Sequence, residues 1–181
     1  MGEKKLIGKT ANGVDVYVIV DNEHMQAHSD VREAMIAEAI KKMTYENTTF
    51  KMETFDMGRI IGNNSCVKTG PEDKVVEVAR PGRTNKSKIV CYREPEPTSL
   101  FTVGVCTDDD KLVTVFTSFP GPLAPKEMTD PRLTDAERAD AIAFWSTHAL
   151  CSTAVFGQPV PPGVELDKNQ AQDNQKENIL E

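Results

Sequence analysis

The sequence predicts an α+β fold: an N-terminal hairpin and helix, then a four-stranded antiparallel sheet meander with packed helices. Three observations predict it. Asn12-Gly13 stands between two β-rich runs, the strongest short hairpin signal. Four later runs, 74–79, 89–93, 99–106 and 112–119, are rich in Val, Ile, Phe and Thr and are separated by turn residues. Asp30 with Glu33, and Thr134 with Glu137, have the hydroxyl-or-acid to glutamate spacing of a capping box, which marks a helix start.

Taken in order, Val14, Val16, Val18 and Val20 alternate with Asp15, Tyr17 and Ile19 to form the second arm of the hairpin. A helix is expected over 31–43, with Val31, Met35, Ile36, Ala39, Ile40 and Met43 as its apolar stripe. Residues 44–64 are ambiguous: a short strand or helical turn, then a loop punctuated by Gly58, Gly62 and Asn63-Asn64. The four β runs follow, and Pro120, Pro122 and Pro125 stop the last of them, because proline cannot donate to a ladder. A second helix is expected from Thr134 to about Leu150, with Ala141, Phe144, Trp145 and His148 on one face. Residues 1–156 thus read as one globular domain, and 157–181 as a Pro-rich, then acidic tail too polar to order itself.

Composition narrows the function classes. Hydrophobic content of 39% and charged content of 27% are those of a globular protein, and no apolar run reaches membrane-spanning length. The first residues have no secretory apolar region, and Cys66, Cys91, Cys106 and Cys151 are scattered without a Cys-x-x-Cys pair. That usage suits reduced thiols in the cytoplasm. The net charge of −7 argues against a general nucleic-acid coat protein. Its distribution is uneven, however: residues 74–93 hold Lys74, Arg80, Arg83, Lys86, Lys88 and Arg93 against Glu77 alone, whereas 165–181 hold five acids and two lysines. A basic band of this kind is either a solvated strand edge or a place where a small site meets phosphate.

Several residues in and around this band can carry chemistry. His24 and His28 are four apart and would share a helix face, as metal pairs do, but no glutamate completes a zinc protease motif; they are loop residues or a general base. His148 is a packed core histidine or an acid–base group. Arg80 and Arg83 flank Pro81-Gly82, a turn that can aim two guanidinium forks at one anion. In the stretch 92–99, YREPEPTS, the residue before each proline is forced to be extended, so Glu94 and Glu96 point to one face and Arg93 to the other. This stretch reads as a stiff arm beside a site, with Arg93 offered to an anion, the glutamates pinning neighbouring arginines, and Thr98 close by. Thr114, Thr117 and Ser118 interrupt an otherwise apolar strand, where threonine is also a good strand former.

Taken together, RPGR (80–83), REPEPTS (93–99), TVGV (102–105), TVFTSFPGPLAPKE (114–127) and FWSTHAL (144–150) resemble, in that order, an uncharacterised bacterial family. The resemblance covers roughly residues 63–150. The order of elements is also similar to the barnase–EndoU–colicin–RelE group of small ribonucleases. That resemblance implies metal-independent RNA cleavage without a cofactor, using His28 or His148 for proton transfer and Arg80, Arg83 and Arg93 as an anion clamp. Thr98 and Thr117 would orient the substrate; the group's strand threonine falls on Thr114 or Thr117 here. The rival expectation is a non-enzymatic immunity, antitoxin or phage-associated module whose basic band docks an acidic protein. A nucleotide-handling transferase is a third class, for which the sequence offers no nicotinamide-site pattern.

Overall fold

The computed structural model describes residues 3–20, 33–46 and 48–166. Its elements are β1 (Lys4–Lys9), β2 (Asp15–Ile19), α1 (Glu33–Ile40), β3 (Phe50–Asp56), β4 (Gly62–Asn64), β5 (Cys66–Lys68), β6 (Val75–Ala79) and β7 (Lys86–Val90). There follow β8 (Glu96–Thr98), β9 (Leu100–Thr107), β10 (Val113–Pro120), α2 (Asp135–Trp145), β11 (His148–Cys151) and α3 (Ser152–Phe156). With 16% helix against 38% strand, the fold is mostly β, which overturns the expected four-stranded meander with packed helices.

The strands form three sheets: five strands in the order β1-β2-β10-β9-β3, four in the order β5-β11-β7-β6, and the pair β4-β8. The expected runs 74–79, 99–106 and 112–119 form strands, whereas the run expected at 89–93 is shifted to Lys86–Val90, and the four strands pair two by two. The β6–β7 hairpin lies in the small sheet and the β9–β10 hairpin in the large one. The physical reason lies in the arm between them. Its prolines supply no N–H for a ladder, and its end, β8, pairs with β4 instead of with β7.

Two parallel pairings complete the sheets, β10 with β2 and β11 with β7. The first carries the N-terminal hairpin, whose β1–β2 pairing is as the Asn12-Gly13 signal predicts, into the large sheet. One face of that sheet presents Val16, Val18, Phe101, Val103, Val105, Val113 and Val115 to Ile36, Ala39 and Ile40 of α1, forming the main core with Met43, Tyr45 and Phe55. The helix expected over 31–43 is described as α1, which ends at Ile40, three residues short, while its proposed cap Asp30 and its first two residues lie outside the described residues. On the opposite face Phe116 bulges out of register and stacks on Phe50 at 5.2 Å. Gly104 lies beneath it: a Cβ there would come within 2.6 Å of the Phe116 ring, so only glycine permits that approach.

The capping box at Thr134 forms as its spacing predicts. The Thr134 hydroxyl accepts from the Glu137 amide, and the Glu137 carboxylate accepts from the Thr134 amide at 2.8 Å. The helix is shorter than expected, however. It ends at Trp145, and His148 opens β11, bonded on one side to β5 and on the other to β7. Strand partners on both sides outweigh the helical periodicity of this segment, a tertiary effect that propensity does not contain. Ala141, Trp145, Phe144, Met128, Leu133, Cys66 and Leu150 pack together where α2 covers one face of the small sheet. Among the described residues no helix is long and apolar enough to cross a membrane.

Candidate functional site

The basic band folds as the β6–β7 hairpin, and the two ends of that hairpin hold different groups. At the closed end, Arg80, Pro81, Gly82 and Arg83 form a tight turn in which the Arg83 amide donates to the Arg80 carbonyl at 3.0 Å. Gly82 sits at φ +72°, the left-handed position that a type II turn requires after proline. The turn brings the two arginines to one carboxylate. Arg80 bonds Glu127 through its guanidinium and Ser87 through Nε at 3.1 Å, while Arg83 lies 3.9 Å from the same Glu127 oxygen. Ser87 donates to Glu127 at 3.0 Å, and both Ser87 and Glu127 are buried.

Burial alone would push the Glu127 carboxyl up; its backbone hydrogen bond and the Arg80 charge outweigh that and hold it below the usual range. One ionised carboxylate thus faces two guanidinium groups, and Arg83, with more than half its side chain exposed, remains open to a further anion.

His148 belongs to the same end of the small sheet. Leu150 pairs with Ile89 in parallel register, so two residues earlier along each strand lie His148 and Ser87, on the face that α2 covers. The His148 ring stacks on Phe144 at 4.1 Å and 7°. Its Nδ1 is 2.9 Å from the Thr147 hydroxyl and 3.1 Å from the Phe144 carbonyl. With Nδ1 donating to that carbonyl, Nε2 is the nitrogen left with a free lone pair.

The open end of the hairpin holds Arg93, on the far side of a five-residue strand, about 17 Å away. Its guanidinium donates to both Asp73 oxygens at 3.0 and 2.9 Å and to Glu96 at 2.9 Å. These acids, Asp73 first, raise its already high pKa. The bond to Glu96 corrects the expected opposite facing of Arg93 and Glu96. Glu94 is exposed. Tyr92, at φ +59°, makes the bend before Arg93 and donates its amide to Pro159.

The remaining candidates lie elsewhere. Thr98 is buried in β8 and accepts from the Leu100 amide at 3.1 Å. Thr117 is buried in β10 beside Gly104, in the large sheet. His24 and His28 fall outside the described residues. The fold therefore brings Arg80, Arg83 and His148 to one end of one sheet and leaves Arg93, Glu94, Thr98 and Thr117 away from it. Sequence reasoning missed Glu127, Ser87 and Asp73. Glu127 lies 47 positions from Arg80 in a proline-rich connection with no local signature, and only the fold pairs them. Among the described residues, no three His, Cys, Asp or Glu side chains are grouped to hold a metal ion. Compared with known proteins, the chain matches no family model, no curated protein and no solved structure.

Proposed function

We propose that this chain binds the phosphate of RNA or of a nucleotide at the Arg80–Arg83 turn and cleaves RNA there by metal-independent transesterification. The observation that carries the reading is the surplus of guanidinium charge over carboxylate at Glu127, at the end of the small sheet where β11 opens with His148. In the proposed step, His148 Nε2 takes the proton of a ribose 2′-hydroxyl. The 2′-oxygen forms a bond to the adjacent phosphorus, and the bond from phosphorus to the 5′-oxygen breaks. The protonated His148 then returns a proton to the departing 5′-oxygen, leaving a 2′,3′-cyclic phosphate and a free 5′-hydroxyl; His28, the other expected proton-transfer residue, lies outside the described residues. Arg83, supported by Arg80, stabilises the charge that builds on the phosphorane oxygens. The step balances with these side chains alone. A cytoplasmic setting, where RNA is abundant, suits four free cysteines.

A second reading has its own observation. Arg80 and Arg93 are each already bonded to carboxylates, as structural arginines are, which favours a non-enzymatic immunity or binding module. Incubating total RNA with the wild type and with a His148→Ala/Arg83→Ala variant separates the two. Cleavage to cyclic-phosphate ends by the wild type alone supports the enzyme. Equal cleavage by both sinks the assigned residues, and none by either favours the binding module.

A further inference from the structure

Among the described residues the two main sheets end in four edge strands, β1 and β3 in the large sheet, β5 and β6 in the small one. Three of these edges are guarded or short. β1 carries Lys4, Lys5 and Lys9, β3 carries Lys51, Glu53 and Asp56, and β5 is three residues long. Charge and brevity both discourage the addition of a further strand. β6 reads VVEVA, five residues with a single charge.

The direction of its ladder groups follows from its pairing. The Cys91 amide donates to the Lys74 carbonyl at 2.8 Å, so that pair is hydrogen-bonded, and by the antiparallel alternation Val76 and Val78 bond to β7 as well. Val75, Glu77 and Ala79 consequently turn their backbone N–H and C=O groups away from the sheet, and all three are exposed. Such a row of groups is satisfied by an extended main chain.

The side chains define which chain fits. A strand added beside β6 lies about 4.8 Å away, and each of its residues shares a face with the β6 residue opposite. On one face Val76 and Val78 are half-buried and call for apolar neighbours. On the other face β7 sets Lys88 across from Glu77 and Lys86 across from Ala79. Glu77 offsets Lys88, but an alanine methyl neither neutralises nor covers Lys86, which is exposed and makes no ion pair among the described residues. A carboxylate opposite Ala79 comes within reach of that lysine. A second copy of β6 is a poor occupant. The register that pairs the whole strand with itself sets Glu77 against Glu77 and Lys74 against Arg80, and any shifted register pairs three of its five residues or fewer.

We propose that β6 is the docking edge for an extended segment of a partner protein, apolar where it meets Val76 and Val78 and carrying a carboxylate opposite Ala79, where Lys86 receives it. The main-chain groups of Val75, Glu77 and Ala79 supply the ladder, and Lys86 sets the register. None of these groups takes part in the cleavage step proposed above, so the inference does not rest on it.

The probe is the fluorescently tagged peptide acetyl-Glu-Val-Thr-Val-Val-amide. Laid antiparallel, it places its Glu opposite Ala79, its Thr opposite Glu77 and its valines opposite Val78, Val76 and Val75. It is titrated into the full chain and followed by anisotropy and by amide hydrogen exchange. Docking predicts that saturating peptide slows exchange at Val75, Glu77 and Ala79 about tenfold. A peptide with Lys in place of Glu should bind roughly tenfold more weakly, and Lys86→Glu should invert that preference. Ala79→Pro removes an outward donor and no bond to β7, so it should weaken both peptides. Binding by neither peptide, unchanged exchange at saturation, or a preference indifferent to Lys86→Glu overturns the proposal. Slow exchange before peptide is added also overturns it: if protection rises with protein concentration the occupant is a second copy, and if it does not the edge is already filled. A single-stranded oligonucleotide that slows the same three amides assigns the edge to nucleic acid and overturns the peptide reading.

Discussion

The two main sheets solve the problem of burial in different ways. The large sheet buries an apolar face built from valines, phenylalanine and the α1 stripe, and its ion pairs lie outside that core, from the exposed Arg59 with Glu38 and Lys9 with Asp15 to the largely covered Lys4 with Asp108. The small sheet has only modest apolar clusters and brings carboxylates inward, Glu127 at 7% exposure and Asp73 at 15% of its side chain, each met by an arginine. A buried carboxylate is costly unless bonded, so such pairs rarely serve stability as well as apolar packing would. The difference teaches where to look for function: the large sheet is the scaffold, and the small sheet carries the charge that a ligand can meet.

That contrast can be broken experimentally. The largest effect is expected for Phe101→Ala, in the middle of the large core and fully buried. It should cost about 3–5 kcal/mol, read as a shift of the denaturant midpoint. A loss no greater than that of Val90→Ala in the small sheet would mean that the small sheet, not the large, dominates stability.

Glu127→Gln comes next. It leaves Arg80 without its charge partner, and about 1–3 kcal/mol should be lost near pH 7. The folded carboxyl titrates below its unfolded value of about 4.3, so its contribution is fully present above that pH and is lost as pH falls through the folded value. The gap between wild type and variant should therefore close below about pH 4. A gap independent of pH would show that shape, not charge, matters at this position.

The smallest effect is expected for Arg59→Ala, whose exposed partner Glu38 lies 2.7 Å away: no resolvable change in thermal midpoint. A clear drop would place a structural ion pair in the sheet described here as apolar.

Legibility in the sequence followed distance along the chain. The Asn12-Gly13 hairpin and the Thr134 capping box are local devices, spelled in a few residues, and both formed as read. The sorting of four strands into two sheets was not legible, because β2 joins β10 and β7 joins β11 across long intervals that no window contains. The candidate site divides in the same way. Arg80 and Arg83 were marked by their shared turn, and their meeting with Glu127 was invisible because that residue arrives from beyond β10. His148 was assigned to a helix face because it follows Phe144 by four positions; the two rings do stack, although the histidine opens a strand.

The parallel pairing of Val16 with Val113 bears on how the molecule is born. Roughly a hundred residues of synthesis separate these partners, about 5–20 s at ribosomal rates. Throughout that interval the N-terminal hairpin has emerged and β2 has no neighbour on its inner edge. The lysines on β1 cover the other edge but not this one. A nascent chain in that state is the form in which chaperones would meet the protein, and crowded translation would expose it most.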